Sequence, residues 1–237
     1  MKTITYVHQG RVEHGDSMGN RGVIGAGDVQ WMTAGSGIIH QEMPKGNDDG
    51  ILCGFQLWAN LPASDKMMAP RYRGITASQI PEQTLKGNVK VKIVCGEVGG
   101  VKGPVQDVVV APEYLDVTVP ANTTFTHPVR PGHTVFAYVV DGEGYFDAER
   151  NAYAREGVGR NYFDIERRCV CGAEDLVLYG DGDAVEVTTR DNPVRFLLVS
   201  GKPIGEPVAW YGPIVMNTQE ELRVAFEEYE AGTFVKR

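Results

Sequence analysis

The sequence predicts an all-β chain, a sandwich or barrel of many short strands, closed by one helix at its C-terminus. Three observations predict it. Glycine and proline are spread along the whole length as punctuation, 29 and 13 residues of the 237. Between them lie short runs rich in Val, Ile, Tyr, Phe and Thr, the residues that fit a pleated, half-buried surface. One stretch near the C-terminus carries a helical period with a start and a stop signal.

In chain order, residues 3–7, 52–58, 89–94, 114–119, 134–140, 176–179 and 196–199 are predicted strands. Asp16-Ser17-Met18-Gly19-Asn20 reads as a hairpin turn, with Gly19 and Asn20 supplying positive φ. Two segments echo each other: Tyr6-Val7-His8-Gln9-Gly10 and Tyr138-Val139-Val140-Asp141-Gly142 each read as a strand ending in a tight turn at glycine. Downstream, Gly25-Ala26-Gly27-Asp28-Val29 resembles Gly180-Asp181-Gly182-Asp183-Ala184. A duplicated barrel produces such a pattern. Chance similarity between glycine-rich turns produces it too. At the C-terminus, Thr218 and Glu221 have capping-box spacing. Leu222, Ala225, Phe226 and Tyr229 then form an apolar stripe for packing on a barrel, and Gly232 is placed to end the helix.

Composition narrows the function. Lys and Arg number 23 against 31 Asp and Glu, a net charge of −8. Phosphate binding rests on clustered cations. The chain has no basic run and no zinc-finger spacing, so direct nucleic-acid recognition is not expected, whereas docking on a DNA-bound protein is compatible with the charge. No apolar stretch approaches the roughly 20 residues that span a bilayer. Met1-Lys2-Thr3-Ile4-Thr5-Tyr6 lacks the long apolar segment of a secretory signal. The four cysteines, Cys53, Cys95, Cys169 and Cys171, are sparse for a disulfide scaffold. The C-x-C pair Cys169/Cys171 alone is a weak metal signal. The expected location is the cytoplasm, and the nucleus also in a eukaryote.

The candidate chemistry lies at His40 and Glu42. Residues i and i+2 of a strand point to the same face, roughly 7 Å apart, so imidazole and carboxylate can converge on one divalent ion. Neutral nitrogen with anionic oxygen suits non-haem iron, with manganese, nickel or copper competing. An isolated His-x-Glu is more often without a metal than with one.

Three stretches extend this reading by resemblance. They are Gly27-Asp28-Val29-Gln30-Trp31-Met32-Thr33-Ala34-Gly35-Ser36-Gly37-Ile38-Ile39-His40-Gln41-Glu42-Met43-Pro44; Gln56-Leu57-Trp58-Ala59-Asn60-Leu61-Pro62; and the set Gly201-Lys202-Pro203, Glu206-Pro207-Val208 and Gly212-Pro213-Ile214-Val215-Met216-Asn217-Thr218. All three resemble the pirins, from residue 3 to the C-terminus. The resemblance implies two antiparallel cupin barrels, of the double-stranded β-helix or jelly-roll kind, with a C-terminal helix. It implies one non-haem Fe(II) in the first barrel, held by three histidines and a glutamate. It implies quercetin 2,3-dioxygenase activity in several members and redox-sensitive transcriptional regulation in eukaryotic ones. His40 and Glu42 match the third and fourth family ligands, and Glu42 is also the candidate catalytic proton acceptor.

The first two family ligands belong to a His-Pro-His that precedes Arg-Gly-Phe-Glu-Thr. Met1 and Lys2 fall on the Phe and Glu of that motif, so the His-Pro-His would precede residue 1. The expectation is therefore an incomplete N-terminal barrel at 1–103, lacking its opening strands, and a C-terminal barrel with the helix at 104–237. A start upstream of Met1 is favoured over a functional short form. Two ligands alone are expected to hold iron weakly or not at all. His8 lies too far along its strand to substitute, and His14 is expected to be structural or at the surface rather than a ligand. In the second barrel the echo puts the corresponding ligand pair at Pro128 and Arg130, and His127 and His133 miss that spacing. Three functions stay open: an iron dioxygenase acting on a flavonol-like small molecule, a redox-sensitive co-regulator that binds a protein partner, and a metal-free scaffold.

Overall fold

The structure, a computed structural model, describes residues 1–106, 108–150, 155–158 and 165–236. The chain divides into two compact units: residues 1–79 with 204–237, and residues 80–203. The expected boundary near residue 103 lies inside the second unit. Val89, Val91, Ile93 and Val98 are buried in one core with Leu115, Val117 and Phe196, and Lys90–Cys95 pairs with Glu113–Val119. The segment 204–237 packs with the first unit.

Among the described residues, 1–79 of the first unit form two antiparallel sheets, and Ala209–Tyr211 pairs with Ile214–Met216 as a third, two-stranded one. Of the first two, one has the order β6-β1-β4-β7, with β1 Lys2–Gln9, β4 Val29–Thr33, β6 Cys53–Ala59 and β7 Arg71–Ile75. The two central strands are buried on both faces: residues 2–7 and 29–33 are shielded throughout. That is the burial expected of a strand covered on both sides, and Ile, Val, Thr and Trp suit it. The edge strand β6 instead alternates half-buried and exposed. The other sheet has the order β3-β2-β5, with β2 Arg11–Asp16, β3 Arg21–Ile24 and β5 His40–Lys45.

The β2–β3 hairpin closes on the expected turn, by a different division of labour. Gly19 takes φ +89°, but Asn20 is not in the left-handed region. Asn20 instead supplies hydrogen bonds, its N–H and its side-chain amide both reaching the Asp16 carboxylate at 3.0 and 2.8 Å. The connection from β4 to β5 turns at Gly35, φ +52°, where an added Cβ would lie 2.1 Å from the Met68 carbonyl oxygen. Ser36 N–H donates to that same carbonyl at 2.9 Å. Only glycine combines this conformation with this approach, and the turn fixes where β5 begins.

In the second unit a seven-stranded sheet runs from Cys171–Gly172 through Thr134–Gly144, Val194–Gly201, Glu113–Val119 and Lys90–Cys95 to Glu82–Thr84, with Leu176–Leu178 also paired to Thr134–Gly144. Thr124–Pro128 pairs with Ala184–Thr188. Phe196 lies at the centre, its ring edge-on to Phe146 at 5.1 Å and tilted to Phe125 at 6.1 Å.

The sequence echo has a structural counterpart. Gly10 and Gly142 have φ of +79° and +74°. The register shifts between Val7 and Gln9 in one strand and between Val139 and Asp141 in the other. The same bulge thus falls at matched positions of the two units. At the C-terminus, helix Gln219–Glu230 starts on a complete capping box of Thr218 and Glu221. Leu222 and Ala225 are buried, whereas Tyr229 is exposed and rests edge-on to Phe234 at 6.0 Å. No helix among the described residues is long and apolar enough to cross a membrane.

Candidate metal centre

Register brings the chemistry together. In the β2–β5 pairing, Asp16 lies opposite His40 and His14 opposite Glu42. Side chains two apart share a face, so these four residues form one patch. In the other sheet, Gln56, Thr5 and Gln30 form a row across β6, β1 and β4. Hydrogen bonds from this row to the patch show that the two polar faces meet inside the first unit.

His40 and Glu42 lie side by side, Nδ1 to Oε1 3.7 Å, each partly exposed. The carboxylate is held from the opposite sheet. Gln56 Nε2 donates to Glu42 Oε2 at 2.9 Å and to Thr5 Oγ1 at 3.1 Å. Thr5 Oγ1 donates in turn to Glu42 Oε1 at 3.4 Å. Trp58 Nε1 donates to Gln56 Oε1 at 2.7 Å. An indole N–H can only donate, so Trp58 fixes the amide with its oxygen outward and its NH₂ on Glu42.

His14 is fully enclosed, as is the Asp16 carboxylate. Its Nε2 lies 3.2 Å from Asp16 Oδ2, and its Nδ1 lies 2.7 Å from Gln30 Nε2. An ionised carboxylate only accepts. Nε2 therefore carries the proton, and Nδ1 presents its lone pair to the Gln30 amide. Burial raises the Asp16 carboxyl, but donors outweigh it: the Asn20 side chain, His14, and the Asn20 and Met18 backbone N–H groups hold it below its ordinary value. The Tyr72 ring stacks on His14 at 4.9 Å, and its phenol is pushed up by burial and by the nearby Asp16 and Glu42 charges.

Among the described residues, His14, His40 and Glu42 each offer a ligand atom, and these atoms all lie within 4.8 Å of one another. Donors around one octahedral ion with bonds of about 2.1 Å are spaced about 3 to 4 Å apart, so small adjustments would seat all three. The set fits a transition metal, since imidazole and carboxylate together suit iron, nickel or copper. Gln30 Oε1 and Thr3 Oγ1, both buried, have no hydrogen-bond partner. The polar layer is thus not fully self-satisfied, as expected of a site built for something other than packing. His40 also borders a largely apolar cavity of about 690 Å³, lined among others by Ile38, Ile39, Val215, Val224 and Phe234. That volume is in the range of small-molecule pockets.

The other sequence candidates fall elsewhere. His8 packs edge-on to Tyr6 at 4.4 Å and Phe55 at 5.2 Å. His127 Nε2 pairs with Glu113 Oε2 at 3.0 Å in the second unit. Cys169 and Cys171 are half-buried in the second unit. His14, Gln56, Trp58 and Gln30 join the centre through strand register, a signal that no spacing within the sequence displays.

An antiparallel barrel with imidazole and carboxylate on its inner face, in a chain with a second β unit, defines a protein of the cupin class. The family model for pirin matches residues 1–59, and that for the pirin C-terminal cupin domain matches residues 114–235. A pirin-like protein of Caulobacter vibrioides is 40% identical over 234 residues, which are 98% of this chain and 77% of that protein. A quercetin 2,3-dioxygenase from Acinetobacter baumannii matches at TM-score 0.81 and 28% identity, over 98% of this chain and 75% of that one. A bacterial pirin from Escherichia coli, solved in complex with nickel(II), shares the fold at TM-score 0.60 and 22% identity, over 86% and 73%. The chain belongs to the pirin family.

Proposed function

We propose that this chain is a metal-dependent dioxygenase of the quercetin 2,3-dioxygenase kind. Its ligands include His40 and Glu42, its metal is Fe(II) with Mn, Ni or Cu as competitors, and its substrate is a flavonol-like small molecule. The observation that carries the reading is the paired imidazole and carboxylate, 3.7 Å apart, with the carboxylate clamped by Gln56. The activity named for the Acinetobacter relative supports it.

A bound metal supplies Lewis-acid and redox chemistry toward substrate oxygen and dioxygen. The residues do the rest. Gln56 and Thr5 orient the carboxylate and share its charge. Glu42 accepts the proton of a substrate hydroxyl delivered beside it. The apolar cavity at His40 receives the aromatic rings and keeps water from them.

Oxygen uptake with quercetin, on protein loaded in turn with Fe(II), Mn(II), Ni(II) and Cu(II), tests this. Uptake that keeps pace with loss of flavonol absorbance, and that disappears in His40→Ala and Glu42→Gln, is the expected result. Absence of uptake with all four metals, or equal uptake in both variants, contradicts it.

A further inference from the structure

We propose that the second unit binds a small organic carboxylate, held by Arg130 and Lys202 beside an open cavity of about 350 Å³. Every residue concerned lies within 80–203, so the proposal stands apart from the metal centre of the first unit and from the reaction proposed there.

The cavity joins one guanidinium to an apolar wall: Arg130 borders it together with Val105, Val108, Ala111 and Pro112. Arg130 opens a tight turn, closed by His133 N–H on the Arg130 carbonyl at 3.1 Å, with Gly132 at φ +75°. Lys202 is tied to the same wall through its backbone, its N–H donating to the Val110 carbonyl at 3.2 Å. Val110 is β-branched and takes φ +69°, a strained conformation that the surrounding structure must impose.

Two cations gather here without a counter-charge, in a chain whose net charge is −8. Among the described residues, neither Arg130 nor Lys202 has an ion-pair partner, and the carboxylates beside the cavity are engaged elsewhere. Glu113 Oε2 pairs with His127 Nε2 at 3.0 Å, and Glu97 Oε2 with Lys102 Nζ at 3.8 Å. Gly96, at φ +109°, leaves the space that the Glu113 side chain fills: an added Cβ would lie 2.8 Å from Glu113 Cγ. The imbalance is felt at His133, whose Nδ1 is buried without a hydrogen-bond partner. Burial first, then Arg130, hold its imidazole below its ordinary value, with Lys202 adding to them and Glu113 opposing. A bound anion supplies the missing charge. The planar fork of arginine matches carboxylate and phosphate alike. The apolar wall favours a carboxylate with a hydrocarbon body, which inorganic phosphate lacks.

Benzoate, titrated into the intact chain and followed by NMR of the His133 imidazole, tests this; the resonance is assigned by its loss in His133→Gln. A saturable shift is expected, with the His133 pKa raised by the negative charge beside it. Arg130→Met should weaken benzoate binding about tenfold or more. Arg130 is exposed on a turn, so the fold does not depend on it, and the wild-type titration needs no variant. A response that fails to saturate, or an affinity unchanged in Arg130→Met, overturns the proposal. Inorganic phosphate should bind more weakly than benzoate; phosphate binding as tight or tighter overturns the assignment to an organic acid.

Discussion

Gln56 reaches across from one sheet to clamp Glu42 on the other, Nε2 to Oε2 at 2.9 Å. The hydrogen bond is charge-assisted and sets the direction in which the carboxylate presents its other oxygen. Gln56→Leu keeps the volume and removes the donor. Metal affinity, measured by competition with a chromogenic chelator, is expected to fall about ten- to hundredfold. An unchanged affinity would show that Glu42 needs no support from the opposite sheet.

Trp58 acts one step further out. Trp58→Phe removes the indole N–H that locks the Gln56 amide but leaves Gln56 in place. Its effect on the same chelator assay should be smaller than that of Gln56→Leu. A larger effect would place Trp58 in direct contact with the bound species.

The C-terminal helix predicts a pH dependence. The backbone N–H groups of Asn217 and Thr218 hold the Glu221 carboxyl below its ordinary value. A carboxyl depressed in the folded state contributes stability above its unfolded pKa and loses it as pH falls through the folded value. Helix order should therefore weaken below about pH 4.5, the ordinary value, and Glu221→Gln should flatten that dependence in unfolding measured against pH. Thr218→Ala removes the other half of the box and is expected to cost about 1 kcal/mol, read from urea unfolding.

In the second unit, Asp116 is buried in the sheet and takes two hydrogen bonds from Arg195, at 2.9 and 2.7 Å. Arg195→Met strips a buried carboxylate of its bidentate partner. The expected loss is about 3 kcal/mol, at the low end for such a pair because the guanidinium is one third exposed. Urea unfolding of the variant beside Asp116→Asn, expected to cost less, checks the asymmetry.

Much of this was legible in the residues, for local reasons. Alternation alone put His40 and Glu42 on one face, and Thr218-x-x-Glu221 announced its cap, because both relationships span a few residues. The partners of Glu42 were not legible. In β6, Gln56 and Trp58 alternate with Phe55 and Leu57, a pattern that ordinarily marks a solvent face. Here Gln56 and Trp58 are indeed exposed, yet Gln56 also reaches Glu42 on the other sheet, which only the packing of the two sheets reveals. His14 was hidden for the same reason: it meets Glu42 through cross-strand register after a connection of more than twenty residues. Asn20 illustrates the opposite error, since its residue type suggested a left-handed backbone while its side chain was needed to hold Asp16.

The most direct measurement is equilibrium dialysis of the intact chain against Fe(II) under anaerobic conditions, beside a variant carrying His40→Ala and Glu42→Ala together. Weak iron retention by the wild-type chain, lost in the double variant while its β-sheet circular dichroism is retained, is the expected result. Equal iron in both proteins would mean that this imidazole and this carboxylate are neighbours without being ligands.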